Sequence, residues 1–447
     1  MTLADIAGVV GGTVHGDPDL EVTGPAYVDS RQAQPGGLFV AVVGEHVDGH
    51  EYAAGAHAVL GSRPTEAPTV VVADPVVALG RLAGHVARQL PATVLALTGS
   101  QGKTGTKDYL AQALAAAGPT VATAGSFNNE LGLPLTVLRA DAATEFLVLE
   151  MGARGIGHIS YLCEIAPPQV AAVINVGTAH IGEFGSREAI AAAKGEIVES
   201  LPEGGVGVLN ADDDLVAAMA ARTSARVLTF GTAGEVAWRG VEVDDLGRPS
   251  FELGHAGEWR PVRLTQSGLH QVANATAAAA MALAAGLSLD TVADALTAAT
   301  SASPMRMELH ERSDGLLVVN DAYNANPASM TAALETLRTI GERRGRRTVA
   351  VLGEMRELGD SSRAGHHQVG ETARTLGIDT VVVVGEAAAA IAAGFGDEAI
   401  VTAGRDEALA WVRQNVAGAD VVLVKASRGA ALETIADGLL EGEVTTA

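Results

Sequence analysis

Residues 97–106, with the sequence LTGSQGKTGT, combine residue types that suit the binding of nucleotide phosphates. An apolar run at residues 94–97 predicts a buried strand before this segment, and the apolar spacing over residues 109–117 predicts a helix after it. Backbone N–H groups of a glycine-rich turn can surround phosphate oxygens, and the N-terminus of the following helix carries a partial positive charge. Lys103 can reach the outer phosphates, and the Thr104 hydroxyl can bind Mg²⁺.

The spacing of this segment, G-x-x-G-K-T, is shorter than the usual G-x-x-x-x-G-K-T. The direct succession of strand, turn and helix nevertheless favours a phosphate-binding loop. The sequence therefore predicts a nucleotide site formed by Gly99, Ser100, Gln101, Gly102, Lys103, Thr104 and Gly105.

Two polar side chains follow predicted strands beyond this loop. Glu150 ends the predicted strand of residues 145–150, and His180 follows the predicted strand of residues 169–175. Ligands of open α/β sheets bind beyond the carboxyl ends of the strands, so Glu150 is well placed for Mg²⁺. His180 could bind a metal ion or act as a base. The alternatives are a surface carboxylate for Glu150 and a solvated or turn-capping side chain for His180.

Lys194 lies in an otherwise apolar part of the helix predicted for residues 187–201. One interpretation is a lysine whose methylene stem covers the core while its amine reaches water. Gly195, which costs about 1 kcal/mol in a helix interior, indicates instead that another group approaches the helix closely here.

Residues 320–327, NDAYNANP, follow the first predicted strand of a later α/β region. Asp, Asn and Pro suit the N-terminal cap of a helix, but a turn with two Asn, a Tyr and an Asp exceeds what capping requires. Arg306, Lys425 and Arg428 are candidate cations for a phosphate or a carboxylate.

These segments require elements that position them, and the pattern along the chain predicts three α/β domains. The pattern over residues 1–90 predicts a small N-terminal α/β domain. Residues 91–307 predict a central parallel sheet that contains the phosphate-binding loop, covered by helices on both faces, with a small antiparallel extension at residues 226–265. Residues 308–447 predict a C-terminal Rossmann-like α/β domain.

Composition excludes several classes of function. The net charge of −23 argues against nucleic acid or an anionic membrane surface as a partner. No apolar run approaches the roughly 18 residues of a membrane span, and the N-terminus lacks the features of a signal peptide, so a cytoplasmic protein is expected. The one cysteine, Cys163, forms no disulfide within this chain and is predicted to be a packed, inert thiol.

Taken together, the segments resemble the Mur ligase family of peptidoglycan synthesis, in the same order over essentially the whole chain. The matching segments are residues 29–31, 35–41, 44–50, 97–106, 128–136, 150–153, 180–194, 268–270 with Asn274, Arg306, 321–327 and 353–359. Within the family, NNELGLP at residues 128–134 and DAYNANP at residues 321–327 favour the branch that adds D-alanyl-D-alanine.

The resemblance implies an ATP-dependent carboxylate–amine ligase, a monomer with the substrates UDP-N-acetylmuramoyl-tripeptide, D-alanyl-D-alanine and ATP. It implies that Ser30 and Arg31 lie near the uridine diphosphate, and that Lys103 and Thr104 serve the ATP phosphates. Two Mg²⁺ ions are expected, with Thr104, Glu150, His180 and a carbamylated Lys194 as ligands. It further implies that ATP is held by Asn274, Arg306 and Asp321, and that the peptide substrates lie near Asn128, Asn129, Tyr323, Asn324 and Asn326.

Three positions depart from the family pattern. Gly105 stands where a second hydroxyl residue commonly follows, Glu354 replaces a usual Asp, and Ala426 replaces a usual Gly. The alternatives are a sister ligase that adds another amino acid, a folylpolyglutamate-type ligase, and a non-catalytic nucleotide-binding relative. The last of these is disfavoured because the chain retains the five candidate catalytic and metal-binding residues together: Lys103, Thr104, Glu150, His180 and Lys194.

Overall fold

The computed structural model describes residues 1–44, 46–177, 181–441 and 444–446, and its strands form three separate β-sheets. The three-unit α/β architecture predicted from the sequence is confirmed. The domain boundaries after residues 90 and 307 stay predictions.

The N-terminal sheet has five short strands in the spatial order β1-β5-β4-β3-β2, where β1 pairs antiparallel with β5 and the other neighbours are parallel. Its elements are β1 Thr13–His15, β2 Ala26–Tyr27, β3 Leu38–Val40, β4 Ala58–Gly61, β5 Thr69–Val71, α1 Leu3–Val10 and α2 Pro75–Ala87, with 3-10 helices at Ser30–Gln32 and Gly49–Tyr52. Thr2 and Asp5 cap α1 reciprocally, and Asp74 caps α2. Leu135 from the central region joins this core, so the first two units share apolar contact.

The central sheet has nine strands in the order β14-β13-β12-β11-β10-β9-β6-β8-β7. They are β6 Thr93–Thr98, β7 Thr120–Ala122, β8 Phe146–Glu150, β9 Val170–Val173, β10 Val206–Asn210, β11 Arg226–Phe230, β12 Val236–Val243, β13 Pro249–His255 and β14 Glu258–Arg263. Strand β6 lies between β8 and β9, so successive strands lie on opposite sides of β6. Such a switch point opens a ligand crevice beyond the carboxyl ends of the strands, and the predicted phosphate-binding loop lies there.

Helices cover both faces of the central sheet. They are α3 Lys103–Ala115, α4 Gly132–Val137, α5 His158–Ile165, α6 Ile181–Phe184, α7 Arg187–Glu199, α8 Asp214–Ala217, α9 His270–Ala284 and α10 Leu289–Ala298, with a 3-10 helix at Ala218–Arg222. Helices α3, α9 and α10 pack on one face, and α5 and α7 pack on the other. Six of the eleven buried residues of α9 are alanine, which lets this helix approach α3 and the sheet closely.

One prediction for this sheet is wrong. Residues 226–265 were expected to form an antiparallel extension throughout, but β11 pairs in parallel with β10. The segment between these strands contains α8 and the following 3-10 helix, and a crossover of this length brings the chain back in the same direction. The antiparallel part comprises β12, β13 and β14.

The C-terminal sheet has seven strands in the order β19-β18-β17-β20-β16-β15-β21. Its elements are β15 Glu308–Arg312, β16 Leu317–Asp321, β17 Arg347–Leu352, β18 Thr380–Val384, β19 Ile400–Thr402, β20 Asp420–Lys425, β21 Val444–Thr446, α11 Pro327–Arg344, α12 Ser362–Thr375, α13 Ala390–Phe395, α14 Arg405–Asn415 and α15 Glu433–Leu440, with 3-10 helices at Gly359–Ser361, Glu386–Ala388 and Arg428–Ala430. Strands β16 and β20 are parallel neighbours, and Asp321 and Lys425 face each other at their carboxyl ends.

Cys163 is buried on α5, and burial raises the pKa of its thiol to about 12. This agrees with the predicted packed, unreactive thiol. Within the part of the chain that is described, none of the helices is both long and apolar enough to cross a membrane.

Candidate active site

A cleft of about 570 Å³ lies between the carboxyl ends of the central strands and those of the C-terminal strands. Most of the predicted site residues line it: Ser100, Gln101, Gly102, Lys103, Thr104, Gly105, Asn128, Asn129, Glu150, Lys194, Asn274, Arg306, Asp321, Tyr323, Asn324 and Asn326. We call the side formed by residues 100–105, 150 and 194 the central wall, and the side formed by residues 306, 321, 323, 324, 326, 357 and 425 the C-terminal wall. Segments far apart in sequence therefore form one site.

The phosphate-binding loop passes close to α9, and two of its glycines make this approach feasible. Gly102 has φ +78°, and a Cβ atom at this position would come within 2.4 Å of Asn274 Oδ1. A Cβ atom at Gly105 would lie 3.2 Å from Asn274 Nδ2. A side chain at Gly105, one of the departures from the family pattern, would therefore fit tightly against Asn274.

Asn175 holds the loop in place from the neighbouring strand end. Its Oδ1 accepts hydrogen bonds from the N–H groups of Ser100 and Gln101, both at 3.0 Å, and its Nδ2 donates to the carbonyl of Gln101 at 3.0 Å. Because Asn175 uses these two N–H groups, the donors for phosphate are those of the first turn of α3. The N-cap residue of this helix, Gly102, has no side chain that could occupy them.

Glu150 is buried at the end of β8, with 1% of its surface exposed. Its Oε2 accepts a hydrogen bond from the Thr104 hydroxyl at 3.0 Å, and its Oε1 accepts one from Asn128 Nδ2 at 2.7 Å. The alternative of a surface carboxylate is therefore wrong. Thr104 and Glu150 place two hard oxygen atoms side by side next to the phosphate-binding loop.

Lys103 lies across the loop, where its Nζ donates to the carbonyl of Gly99 at 2.8 Å. Removal from water lowers the pKa of Lys103, and the charge of Arg306 lowers it further, whereas the charges of Glu150 and Glu357 oppose this shift. The Lys103 side chain thus lines the cleft, and its amine is held by the Gly99 carbonyl of the loop.

Lys194 is buried, with 4% of its surface exposed, and it lines the same cleft from α7. Burial lowers its pKa well below the usual value, and the charge of Lys103 contributes in the same direction. A lysine that extends into solvent is therefore excluded. The close approach predicted at Gly195 is confirmed, since the Arg222 guanidinium lies against it and donates to the Ala191 carbonyl at 3.0 Å.

On the C-terminal wall, Lys425 Nζ donates to Asp321 Oδ2 at 2.6 Å and to the carbonyl of Asn324 at 2.9 Å. The Arg306 guanidinium lies 4.2 Å from the centre of the Tyr323 ring, and the Tyr323 hydroxyl hydrogen-bonds to Ser126 of the central region. Residues of the C-terminal wall are therefore bonded to one another, and Tyr323 also bonds to the central region.

Comparison with known proteins identifies the family. Residues 97–282 match the Mur ligase middle domain, and residues 305–428 match the domain described as Mur ligase, glutamate ligase domain. The chain belongs to the Mur ligase family.

The chain is 45% identical to UDP-N-acetylmuramoyl-tripeptide–D-alanyl-D-alanine ligase of Mycobacterium tuberculosis, covering 98% of each chain. A crystal structure of MurF from Acinetobacter baumannii is 34% identical and superposes with a TM-score of 0.88 over 98% of each chain. MurF ligase from Thermotoga maritima in complex with ADP is 30% identical, with a TM-score of 0.81 over 94% of this chain and 98% of that one.

Three of the residues predicted for the Mur ligase site, Ser30, Arg31 and Gly99, are not among those that line this cleft. Ser30 and Arg31 form an exposed 3-10 turn outside the cleft, where Asp29 holds the Arg31 guanidinium through a bidentate ion pair with a shortest distance of 2.7 Å. Gly99 supports the loop through its carbonyl and is not among the residues that line the cleft. His180 lies outside the described residues.

The candidate cation Arg428 pairs with Glu433, and Glu354 pairs with Arg356 at 2.9 Å. Neither Arg428 nor Glu354 is among the residues that line the cleft.

The structure adds three residues to the site of this Mur ligase. Ser126 contacts Tyr323, Asn175 holds the loop, and Glu357 lines the cleft. Glu357 lies within the GEMRELG segment, so a sequence signal existed for it, and Asn175 lies at a predicted strand end. Ser126 has no comparable signal, because its partner is 197 residues away.

Proposed function

We propose that this chain is an ATP-dependent ligase that joins D-alanyl-D-alanine to UDP-N-acetylmuramoyl-tripeptide in peptidoglycan precursor synthesis. The observation that carries this proposal is one cleft in which Lys103, Thr104 and Glu150 face the segment that contains Asp321 and Tyr323. The relatives that bear this name match 98% of the chain, which favours this branch over sister Mur ligases and folylpolyglutamate-type ligases.

The chemistry of the cleft suits activation of a carboxylate. A carboxylate is a poor electrophile in water, so the proposed route transfers the γ-phosphoryl group of ATP to the peptide carboxylate and forms an acyl phosphate. The amine of the dipeptide then attacks the carbonyl carbon, the C–N bond forms, and phosphate leaves with the bonding electrons. Phosphoryl transfer depends mainly on alignment and charge neutralisation, which Lys103 and the first turn of α3 would supply.

The oxygen atoms in the central wall fit magnesium. Thr104 Oγ1 and Glu150 Oε2 are 3.0 Å apart, about the edge of an octahedron with ligands at about 2.1 Å. Among the described residues, no three His, Cys, Asp or Glu side chains gather into a metal site, which suits an ion held partly by phosphate and water. When bound, Mg²⁺ would neutralise charge on the phosphoryl oxygens. Thr104 and Glu150 would hold it, with His180 as the further ligand implied by the family.

We assign Lys194 the role of a carbamate that steadies a second Mg²⁺ ion. In carbamylation the neutral amine adds to the carbon of CO2, forming an N–C bond, and one proton is released to solvent. Burial, together with the Lys103 charge, lowers the pKa of Lys194 and so favours the neutral amine. The product is an anion with oxygen ligands, whereas an ammonium group in the same place would repel the metal.

The remaining assignments distribute the substrates around the cleft. ATP would be held by Asn274, Arg306 and Asp321 together with the phosphate-binding loop. The peptide substrates would lie near Asn128, Asn129, Tyr323, Asn324 and Asn326, two of which have structural roles as well: Asn129 accepts from the N–H of Gly132 at 2.9 Å and Asn326 caps α11. Ser30 and Arg31 would bind the uridine diphosphate outside the cleft. The cytoplasmic location and the monomeric state stay predictions.

A phosphate-release assay tests the proposed function. We expect turnover only when UDP-N-acetylmuramoyl-tripeptide, D-alanyl-D-alanine, ATP and Mg²⁺ are all present, with the joined product detected by mass. ATP hydrolysis that is insensitive to both peptide substrates would overturn the proposal. Turnover with free amino acids in place of the dipeptide would assign the chain to a sister branch.

A further inference from the structure

The turn between β12 and β13, residues 244–248, belongs to the central sheet but packs against the C-terminal unit. Leu246 in this turn has 7% of its surface exposed, and it lies in a hydrophobic core whose other buried members are between residues 307 and 423. A Cβ atom on Gly247 would lie 3.4 Å from Cγ1 of Ile340 and 3.5 Å from Cγ2 of Thr336, both on α11. The turn thus supplies one side chain to the core of the other unit.

Hydrogen bonds hold this turn rigidly to the central region. Within the turn, Asp244 Oδ1 accepts from the N–H of Leu246 at 2.9 Å, and the Asp244 carbonyl accepts from the N–H of Gly247 at 3.1 Å. The Ser267 hydroxyl donates to the Leu246 carbonyl at 2.7 Å, and the Gly268 N–H donates to the Gly247 carbonyl at 2.9 Å. The position of Leu246 is therefore defined by the segment that precedes α9.

This segment connects the turn to the phosphate-binding loop. It leads into α9, on which Asn274 lies against Gly102 of the loop. It also lies against α11, since a Cβ atom on Gly268 would come within 3.0 Å of Thr336 Oγ1. The N-terminal half of α9 therefore contacts the loop, and the residues just before it contact the turn and α11.

Helix α11 connects the same turn to the C-terminal wall. Thr336, Ile340 and Arg344 are spaced by four residues and so lie on one face of α11. The turn contacts this face, where Arg344 also pairs with Asp245 at 2.7 Å. The other end of α11 is capped by Asn326, a residue of the C-terminal wall, and the rise from Asn326 to Thr336 is about 15 Å. A tilt of α11 at the turn would therefore displace this wall.

The contacts between the two units differ in kind. Tyr323 and Ser126 share a single hydrogen bond, and the Asp245 side chain is 56% exposed, so that solvent screens its ion pair. Leu246 makes an apolar contact that is removed from water. We propose that Leu246 is a positioning residue, which fixes α11 relative to α9 and so holds the C-terminal wall at reacting distance from the phosphate-binding loop. This inference rests on the proposed function.

Steady-state kinetics of Leu246→Ala test the positioning role. We expect kcat for ligation to fall about 10- to 100-fold, because a displacement of about 1 Å between reacting groups has an effect of this size. Leu246→Met conserves the side-chain volume and should keep kcat within about threefold of the wild-type value.

The matched control is Ile391→Ala, which truncates a buried side chain of the same size in the same core, on α13. It should lower the thermal unfolding temperature about as much as Leu246→Ala, because both variants leave a cavity, but it should leave kcat within about twofold. The two variants thus separate loss of stability from loss of position.

A distance measurement tests the same role without turnover. Spin labels attached through Glu203→Cys in the central region and Glu398→Cys in the C-terminal unit are at exposed positions, whereas the native Cys163 is buried. Pulsed EPR should give a narrow distance distribution for the labelled protein and for its Ile391→Ala variant. We expect a shifted or broader distribution with Leu246→Ala.

Equal losses of kcat in Leu246→Ala and Ile391→Ala would overturn the inference, and so would a distance distribution that Leu246→Ala leaves unchanged. If Leu246→Ala does not fold, Leu246→Val leaves a smaller cavity and should show the same changes to a smaller extent. A wild-type enzyme without dipeptide-dependent phosphate release would overturn the proposed function. The distance measurement would still decide whether Leu246 fixes the two units, because it does not depend on ligation.

Discussion

The two walls of the cleft hold their charged groups in different ways. On the central wall, Lys194 is buried and Lys103 is half-buried, and removal from water lowers the pKa of both amines. On the C-terminal wall, Lys425 is as buried as Lys194 but forms an ion pair with Asp321 at 2.6 Å. A buried cation whose pKa is lowered costs free energy of folding. The lowered pKa of Lys194 suits the carbamate proposed for it, whereas the ion pair of Lys425 with Asp321 holds the C-terminal wall together.

Replacing Lys103 by Ala should produce the largest change, because it removes the cation nearest the transferred phosphoryl group. We expect kcat to fall by about 1,000-fold. The free energy of unfolding should stay the same or increase, because burial of this amine opposes folding. Phosphate release and thermal unfolding measure the two effects. A kcat within tenfold of the wild-type value would contradict the proposed role of the central wall.

Lys194→Ala tests whether the second buried amine acts as a carbamate. We expect a loss in kcat of about 100-fold or more, with partial recovery when a short carboxylate such as formate or acetate fills the space of the carbamate. Lys194→Arg keeps a cation but cannot form a carbamate, and it should be inactive with or without carboxylate. An inactive Ala variant without recovery would remove the main support for the carbamate, and a fully active one would exclude it.

The residues of the two walls differ in whether the sequence could predict them. Lys103, Glu150 and Lys194 were predictable because each follows from a local pattern: a glycine-rich turn, a strand end and a polar residue in an apolar helix. The contact between Ser126 and Tyr323 and that between Gly182 and Gly359 were not, because they join segments far apart in sequence.

A local pattern gave a wrong prediction at β11, and the role of Asn175 could not be predicted from a local pattern. The parallel pairing of β11 depends on the crossover before it, which strand propensity does not report. The use of two loop N–H groups by Asn175 depends on the register of β6 against β9, although the residue itself lies at a predicted strand end.

Tyr323→Phe tests how firmly the C-terminal wall is tied to the central one. This variant keeps the ring beside Arg306 but removes the hydroxyl that contacts Ser126. One neutral hydrogen bond corresponds to about 0.5–1.5 kcal/mol, so we expect a two- to tenfold effect on kcat/KM. Ser126→Ala should have the same effect, and the double variant should be no worse than either single one. Additive effects would show that the two side chains act independently.

The smallest effect is expected at the 3-10 turn Ser30–Gln32, where the charges of Asp29 and Arg31 are close to solvent. The side chain of Arg31 is 87% exposed, and its guanidinium, with the Arg31 N–H, lowers the pKa of Asp29 to about 2. A pKa below that of the unfolded chain means that the interaction contributes stability at neutral pH and loses it as the pH falls from about 4 through 2. Solvent screens this pair, so the contribution to stability is small.

Arg31→Ala should therefore raise the pKa of Asp29 part of the way to its usual value, as measured by NMR titration, because the Arg31 backbone N–H still donates to Asp29 Oδ1 at 3.0 Å. The thermal unfolding temperature should hardly change. If Arg31 binds the uridine diphosphate, the same variant should raise the KM for the UDP-linked substrate and leave the KM for ATP unchanged. A rise in both KM values would mean that the turn influences the cleft. In that case the exposed ion pair would not be independent of the buried charges of the central wall.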